Sequence, residues 1–166
     1  MKEIHTNLFI GTDADCRICS EDSGFSIVHA CQSCYLQAVN FRTARSPKHP
    51  HHLVFENASQ LYLNLLDTPE ELVSKSTNPL FKGAIEFIKR ELQNKKVLIH
   101  CNLGMSRSPS IGLVYLARTG VIPKNSYKEA YADFLKLYPK YYPGTGITLY
   151  LINKWNILMN KLGGTG

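Results

Sequence analysis

An α/β sandwich, layered like a three-layer fold with helices flanking a central, mostly parallel mixed sheet, is predicted by three features of this 166-residue chain. The run Lys96-Val97-Leu98-Ile99-His100 is almost continuously apolar, the pattern of a strand covered on both faces. Short apolar strands are separated by segments of helical period, the order that builds parallel sheets through crossover helices. Hydrophobic residues make up 44% of the chain and charged residues 19%. That composition suits one compact domain over residues 1–166, with a short flexible tail at 162–166.

Each element has a local cause. Leu8-Phe9-Ile10, closed by Gly11, reads as a short buried strand. Thr12 to Ser20 reads as a short helix capped by Thr12 or Asp13. Phe25-Ser26-Ile27-Val28 is rich in strand formers. Phe41 to His52 carries Arg42, Arg45, Lys48, His49, His51 and His52 with two prolines and no helical period, so it is expected to be a basic loop. Leu61 to Leu66 reads as a strand ending at Asp67-Thr68-Pro69. Asn78-Pro79 has the form of an N-cap followed by a first-turn proline. Leu80, Phe81, Ala84, Ile85, Ile88 and Leu92 then recur at helical spacing, which predicts a helix over Pro79 to Gln93. After the central strand, Ser108-Pro109 opens a helix that runs to Gly120. Two further helices are expected near Asn125 to Leu137 and Ile147 to Met159.

The formal net charge is +6, a field that favours anionic partners without choosing among them. No dense cluster of basic and aromatic residues marks a dedicated nucleic-acid binder. No apolar run approaches the roughly 20 residues that span a bilayer, and Met1 to His5 lacks the apolar stretch of a signal peptide. A cytoplasmic monomer with no nucleic-acid or membrane partner is the expectation. Cysteines stand at 16, 19, 31, 34 and 101, an odd number that suits free thiols in a reducing compartment. The pairs Cys16-x-x-Cys19 and Cys31-x-x-Cys34 have zinc spacing, but a predicted strand lies between them and Gly-rich knuckle turns are missing. Small buried apolar residues are the simpler reading of these four.

The chemistry is concentrated in His100-Cys101-Asn102-Leu103-Gly104-Met105-Ser106-Arg107-Ser108, set between a predicted strand and a predicted helix. A short loop entering a helix N-terminus aims several backbone N–H groups at one point, and the helix dipole adds positive charge there. Gly104 permits a turn that a side chain would obstruct. Arg107 can hold a tetrahedral oxyanion with two parallel hydrogen bonds. A thiol beneath such a loop lies in a field that favours the thiolate.

This nonapeptide resembles the active-site loop of the cysteine-dependent protein tyrosine phosphatases, in particular the dual-specificity branch with its His-Cys-x-x-Gly-x-Ser-Arg-Ser pattern. The resemblance extends more weakly from Leu8 to about Met159. His29 through Leu61 looks similar to a bacterial and phage-type subgroup. The family fold is an α/β sandwich with a central mixed sheet. The resemblance implies that Cys101 attacks phosphorus to form a phosphocysteine, and that Arg107 grips the phosphoryl oxygens. It implies that Ser108 hydrogen-bonds the sulfur and that His100 orders the loop and favours the thiolate. The backbone of Asn102, Leu103, Gly104, Met105, Ser106 and Arg107 is then the substrate cradle, with no metal and no cofactor required. The general acid is expected on a separate loop about thirty residues earlier, where Asp67 stands; Glu70 and Glu71 are its rivals.

Plainer readings stay open for other residues. Tyr141 to Gly146 resembles the family loop that passes near the active site, or is a simple turn. Arg42, Arg45 and the nearby histidines could form an anion-recruiting rim, though solvated loop charge is the simpler account. Trp155 reads as core. The expected function is hydrolysis of phosphoprotein monoesters, phosphotyrosine first, with phosphoserine and phosphothreonine open. Phosphoinositide-directed relatives carry lysines in the loop, and this loop has none; RNA 5′-triphosphatase relatives have Asn where Ser106 stands. The alternatives are a silent phosphate-binding docking module and a zinc-dependent interaction protein.

Overall fold

A computed structural model describes residues 1–40 and 46–160. Twelve elements run along the chain: β1 Lys2–His5, β2 Leu8–Gly11, α1 Asp13–Cys19, β3 Phe25–His29, α2 Gln32–Ala38, β4 Val54–Asn57, β5 Gln60–Leu63, α3 Ser74–Glu91, β6 Lys96–His100, α4 Arg107–Arg118, α5 Tyr127–Leu137 and α6 Thr145–Asn160. They form the expected α/β fold. The sheet order is β1-β2-β6-β3-β5-β4. The inner strands β2, β6, β3 and β5 pair in parallel, and β1 and β4 close the edges antiparallel.

The central position of β6 explains its apolar run. Val97 and Ile99 enter the larger core under α3 to α6. Leu98 joins Cys16, Cys19, Phe25 and Ile27 in a smaller cluster on the α1 side. Alternating side chains of one strand therefore bury on opposite faces. The register pairs Gly11 with His100 and His100 with His29. The carboxyl ends of three parallel strands thus lie in one row, where open α/β sheets build their sites. No helix among the described residues is long and apolar enough to cross a membrane.

Several boundaries differ from expectation. Helix α3 begins at Ser74, so Pro79 lies inside it rather than at its first turn. The start is held by Thr77 N–H donating to the Val73 carbonyl at 2.9 Å, while Pro79, in the second turn, leaves the Lys75 carbonyl without its ladder donor. The strand expected over Leu61 to Leu66 pairs only over Gln60–Leu63, because β4 ends its register at Leu63. Helix α4 ends at Arg118, with Thr119 as its cap and Gly120 turning at φ +76°. Helix α1 starts as expected: Thr12 and Asp15 form a reciprocal capping box. The sequence reading missed β1, α2 and β4. Two are edge strands with little buried surface, and α2 has no side-chain cap to announce it. Of the basic loop, Arg42 and Arg45 lie outside the described residues, as does the tail at 162–166.

Candidate active site

Cys101 leaves the end of β6 with only 2% of its surface exposed, and α4 begins six positions later at Arg107. Between them the chain turns back at Gly104, whose φ is +68°. A Cβ at Gly104 would stand 2.9 Å from the Gly11 carbonyl oxygen, so both the turn and the close approach require glycine there. The Ser108 hydroxyl donates to the Cys101 sulfur at 3.2 Å from the first turn of α4.

Arg107 is positioned by three groups. Its guanidinium donates to Asn102 Oδ1 at 2.8 Å and to the Leu65 carbonyl at 3.4 Å, and its Nε lies 3.6 Å from Asp67 Oδ2. Asp67, Cys101, Asn102, Leu103, Met105, Ser106 and Arg107 line one pocket of about 430 Å³, together with Tyr142 and Gly144. Leu103 and Met105 are exposed at its rim. Gly104 and Ser108 do not line this pocket. The rivals of Asp67 are placed elsewhere: Glu70 and Glu71 line a different cavity, and Glu71 accepts a hydrogen bond from Asn153.

A second layer holds the loop; Tyr138 was not singled out in the sequence, whereas the other residues fall in the Tyr141 to Gly146 segment. Tyr138 donates its hydroxyl proton to the Gly104 carbonyl at 2.9 Å, buried. The Tyr142 N–H donates to the Met105 carbonyl at 2.9 Å, and the Gly144 N–H to Ser106 Oγ at 3.0 Å. The Gly146 N–H reaches the Thr68 carbonyl at 3.1 Å, tying the start of α6 to the segment that carries Asp67. A Cβ on Gly144 would lie 2.5 Å from Asp67 Oδ1. Tyr141 to Gly146 is therefore a wall of the pocket rather than a plain turn. Trp155 is a core residue as expected, its indole N–H donating to the Lys124 carbonyl.

The family model of the dual specificity phosphatase catalytic domain matches residues 22–154. The chain belongs to this family of cysteine-dependent protein phosphatases. A dual specificity protein phosphatase YVH1 from Plasmodium falciparum is 31% identical over 103 residues, which is 61% of this chain. The match spans only 17% of that relative's length. Among solved structures, DUSP15 superposes with a TM-score of 0.66 at 19% identity, covering 98% of this chain and 91% of its own. A human tyrosine phosphatase-like serine/threonine/tyrosine-interacting protein gives 0.62 at 24% identity, covering 95% and 96%. The Yvh1 phosphatase domain from Chaetomium thermophilum gives 0.59 at 19% identity, covering 91% of each chain. These likenesses concern the fold.

On this dual specificity phosphatase scaffold, His100 points away from the reaction pocket into a neighbouring cavity of about 610 Å³. Its Nε2 lies 2.8 Å from His29 Nδ1 across the β3–β6 register. Burial, with Arg107 adding to it, pushes the His100 pKa down to about 4; burial and the facing His100 do the same to His29. With both values near 4, the two rings favour the uncharged form near neutral pH. The four cysteines of the two Cys-x-x-Cys pairs do not converge as one zinc set. Cys19 stands apart with its sulfur 3.7 Å from Met1 Sδ, while Cys16 Sγ lies 3.8 Å from His29 Nδ1. Cys31 and Cys34 instead approach Asp13 and His100. His49, His51 and His52 line neither the reaction pocket nor this cavity.

Proposed function

We propose that this domain hydrolyses phosphate monoesters on phosphorylated proteins, phosphotyrosine first, through a phosphocysteine on Cys101. The observation that supports it is the convergence on one pocket of Asp67 with Cys101 and Arg107, from two separate segments of the chain. Cys101 attacks phosphorus as the thiolate while the bond to the ester oxygen breaks. Asp67 protonates the departing oxygen. Arg107 leaves Asn102 and Asp67 to grip the phosphoryl oxygens with its planar fork. The N–H groups of the loop take the remaining charge, so this chemistry asks for no metal. In the second step Asp67, now a carboxylate, accepts a proton from water as water attacks phosphorus. The sulfur departs with the Ser108 hydroxyl stabilising it.

Leu103 and Met105 at the rim suit an aromatic phosphoester, with phosphoserine and phosphothreonine as slower substrates. Five free thiols suit action in a reducing compartment such as the cytoplasm, and we take the acting species to be a monomer. The test is vanadate-sensitive hydrolysis of p-nitrophenyl phosphate and of a phosphopeptide panel. Cys101→Ser is expected to abolish turnover while keeping phosphopeptide binding. Binding without turnover by the unmutated chain sinks the reading in favour of a docking module.

A further inference from the structure

We propose that Asp13, Cys31, Cys34 and His100 bind a structural zinc ion behind the phosphate loop, a site independent of the phosphatase reaction. Its ligands come from the three strand ends that the sheet register aligns. Asp13 follows β2, Cys31 and Cys34 follow β3, and His100 ends β6. One ligand atom from each residue lies within 4.8 Å of all the others. This set differs from the two Cys-x-x-Cys pairs: it keeps the second pair and replaces the first with a carboxylate and an imidazole.

The geometry of the two non-sulfur ligands points to a cation. His100 Nδ1 and Asp13 Oδ1 face each other at 3.3 Å, both shut off from solvent, and neither has a hydrogen-bond partner. The surrounding network fixes which His100 nitrogen is turned towards Asp13. Gln60 Oε1 accepts from the Tyr62 hydroxyl at 2.6 Å and lies 3.0 Å from His29 Nε2, which therefore donates to it. His29 Nδ1 is then an acceptor, and His100 donates to it from Nε2 at 2.8 Å. With Nε2 engaged by His29, Nδ1 is the His100 nitrogen that faces the Asp13 carboxylate. Two buried polar atoms left without partners are costly, and a cation between them would satisfy both. In a tetrahedral zinc site with bonds of about 2.0–2.1 Å, nitrogen and oxygen ligands stand about 3.3–3.4 Å apart. The observed separation is that edge.

Two thiolates, an imidazole and a carboxylate make a closed tetrahedral donor set, soft enough to prefer zinc over magnesium or calcium. The Tyr62–Gln60–His29 chain orients the ligating imidazole from behind, as outer partners of zinc histidines do. Asp13, Cys34 and His100 line the cavity of about 610 Å³, and the Asp13 side chain is 46% exposed, so an ion can enter from solvent. Binding releases the two thiol protons to solvent. The ion then joins the starts of α1 and α2 to the residue beside the nucleophile.

The experiment uses the untagged full chain, stripped by a chelator, reloaded with zinc and dialysed, with metal read by elemental analysis. About one zinc per chain is expected. It should be lost in Cys34→Ser and in Asp13→Asn, each checked for native circular dichroism, and retained in Cys19→Ser and Cys101→Ser. Cobalt loading should give the intense visible bands of a tetrahedral thiolate site, missing in Cys34→Ser. His29→Gln should keep the ion but weaken it about 10–100-fold in competition with a chelating dye. Zinc that dialyses away from the unmutated chain overturns the proposal, as does zinc held equally by Cys34→Ser and Asp13→Asn. Loss of zinc in Cys101→Ser would place the ion on the reaction thiol and overturn it too.

Discussion

Asp67 is held from two directions, by Arg107 on one side and by the bare backbone of Gly144 on the other. If it is the acid, its value depends on how badly the leaving group needs a proton. Asp67→Asn should lower kcat on phosphotyrosine about 10²–10⁴-fold. On p-nitrophenyl phosphate, whose phenoxide leaves readily, the loss should be much smaller. Steady-state rates on the two substrates check this, and equal losses on both would move the acid elsewhere. Gly144→Ala offers a second view of the same residue. Its methyl would enter the space of Asp67 Oδ1, so the same substrate-dependent fall in kcat is expected while Tm changes little. At this scale Cys101, Arg107 and Ser108 were legible because nine consecutive residues carry the pattern. Tyr138 was not, since it acts through one contact with a residue 34 positions away.

Helix α3 shows how an element is fixed by its partners. Ser26, fully buried on β3, donates its hydroxyl proton to Glu91 Oε2 at 2.7 Å at the far end of α3. Burial would raise the Glu91 pKa, but the hydrogen bonds from Ser26 and Arg90 outweigh it and hold it below the usual 4.5. A carboxyl depressed in the folded state contributes stability above its unfolded pKa and loses it as the pH falls through the folded value. Ser26→Ala should therefore cost about 1.5–3 kcal/mol near neutral pH, the range for a hydrogen bond to a charged group. The gap from the unmutated chain should narrow below about pH 4.5. Urea unfolding at several pH values measures it; a gap that widens in acid contradicts the assignment. The periodic apolar face made α3 predictable, whereas its first turn was not. Of Ser74 to Asn78 only Lys75 is a strong helix former, and the Asn78-Pro79 pair imitates a start signal. The edge strands β1 and β4 were illegible for a related reason. Their pairing lies with a neighbouring strand, and Ala58, at φ +51° in the β4–β5 turn, gives no glycine signal for a hairpin.

Across the whole molecule, the phosphate loop is the place where the two ends of the fold meet. β6 leads into Cys101, and the segment between α5 and α6 braces the loop through Tyr138 and Tyr142. Tyr138→Phe would leave the Gly104 carbonyl buried without this donor, at a cost of about 1–3 kcal/mol. Reduced catalysis is expected along with reduced stability, because the lost bond positions the loop itself; urea unfolding together with kcat/KM reads both. A loss of stability with unchanged kcat/KM would show that the brace is structural only.

What the sequence by itself determined was the α/β class, the central strand and the strand–loop–helix bearing Cys101 and Arg107. Each is written in residues that touch one another along the chain. Only the tertiary structure decided which residues wall the pocket, that Asp67 faces it rather than Glu70 or Glu71, and that His29, His100 and Asp13 meet. The physical reason is that sheet order and register place strand ends side by side, and no local pattern encodes which strand becomes the neighbour of which.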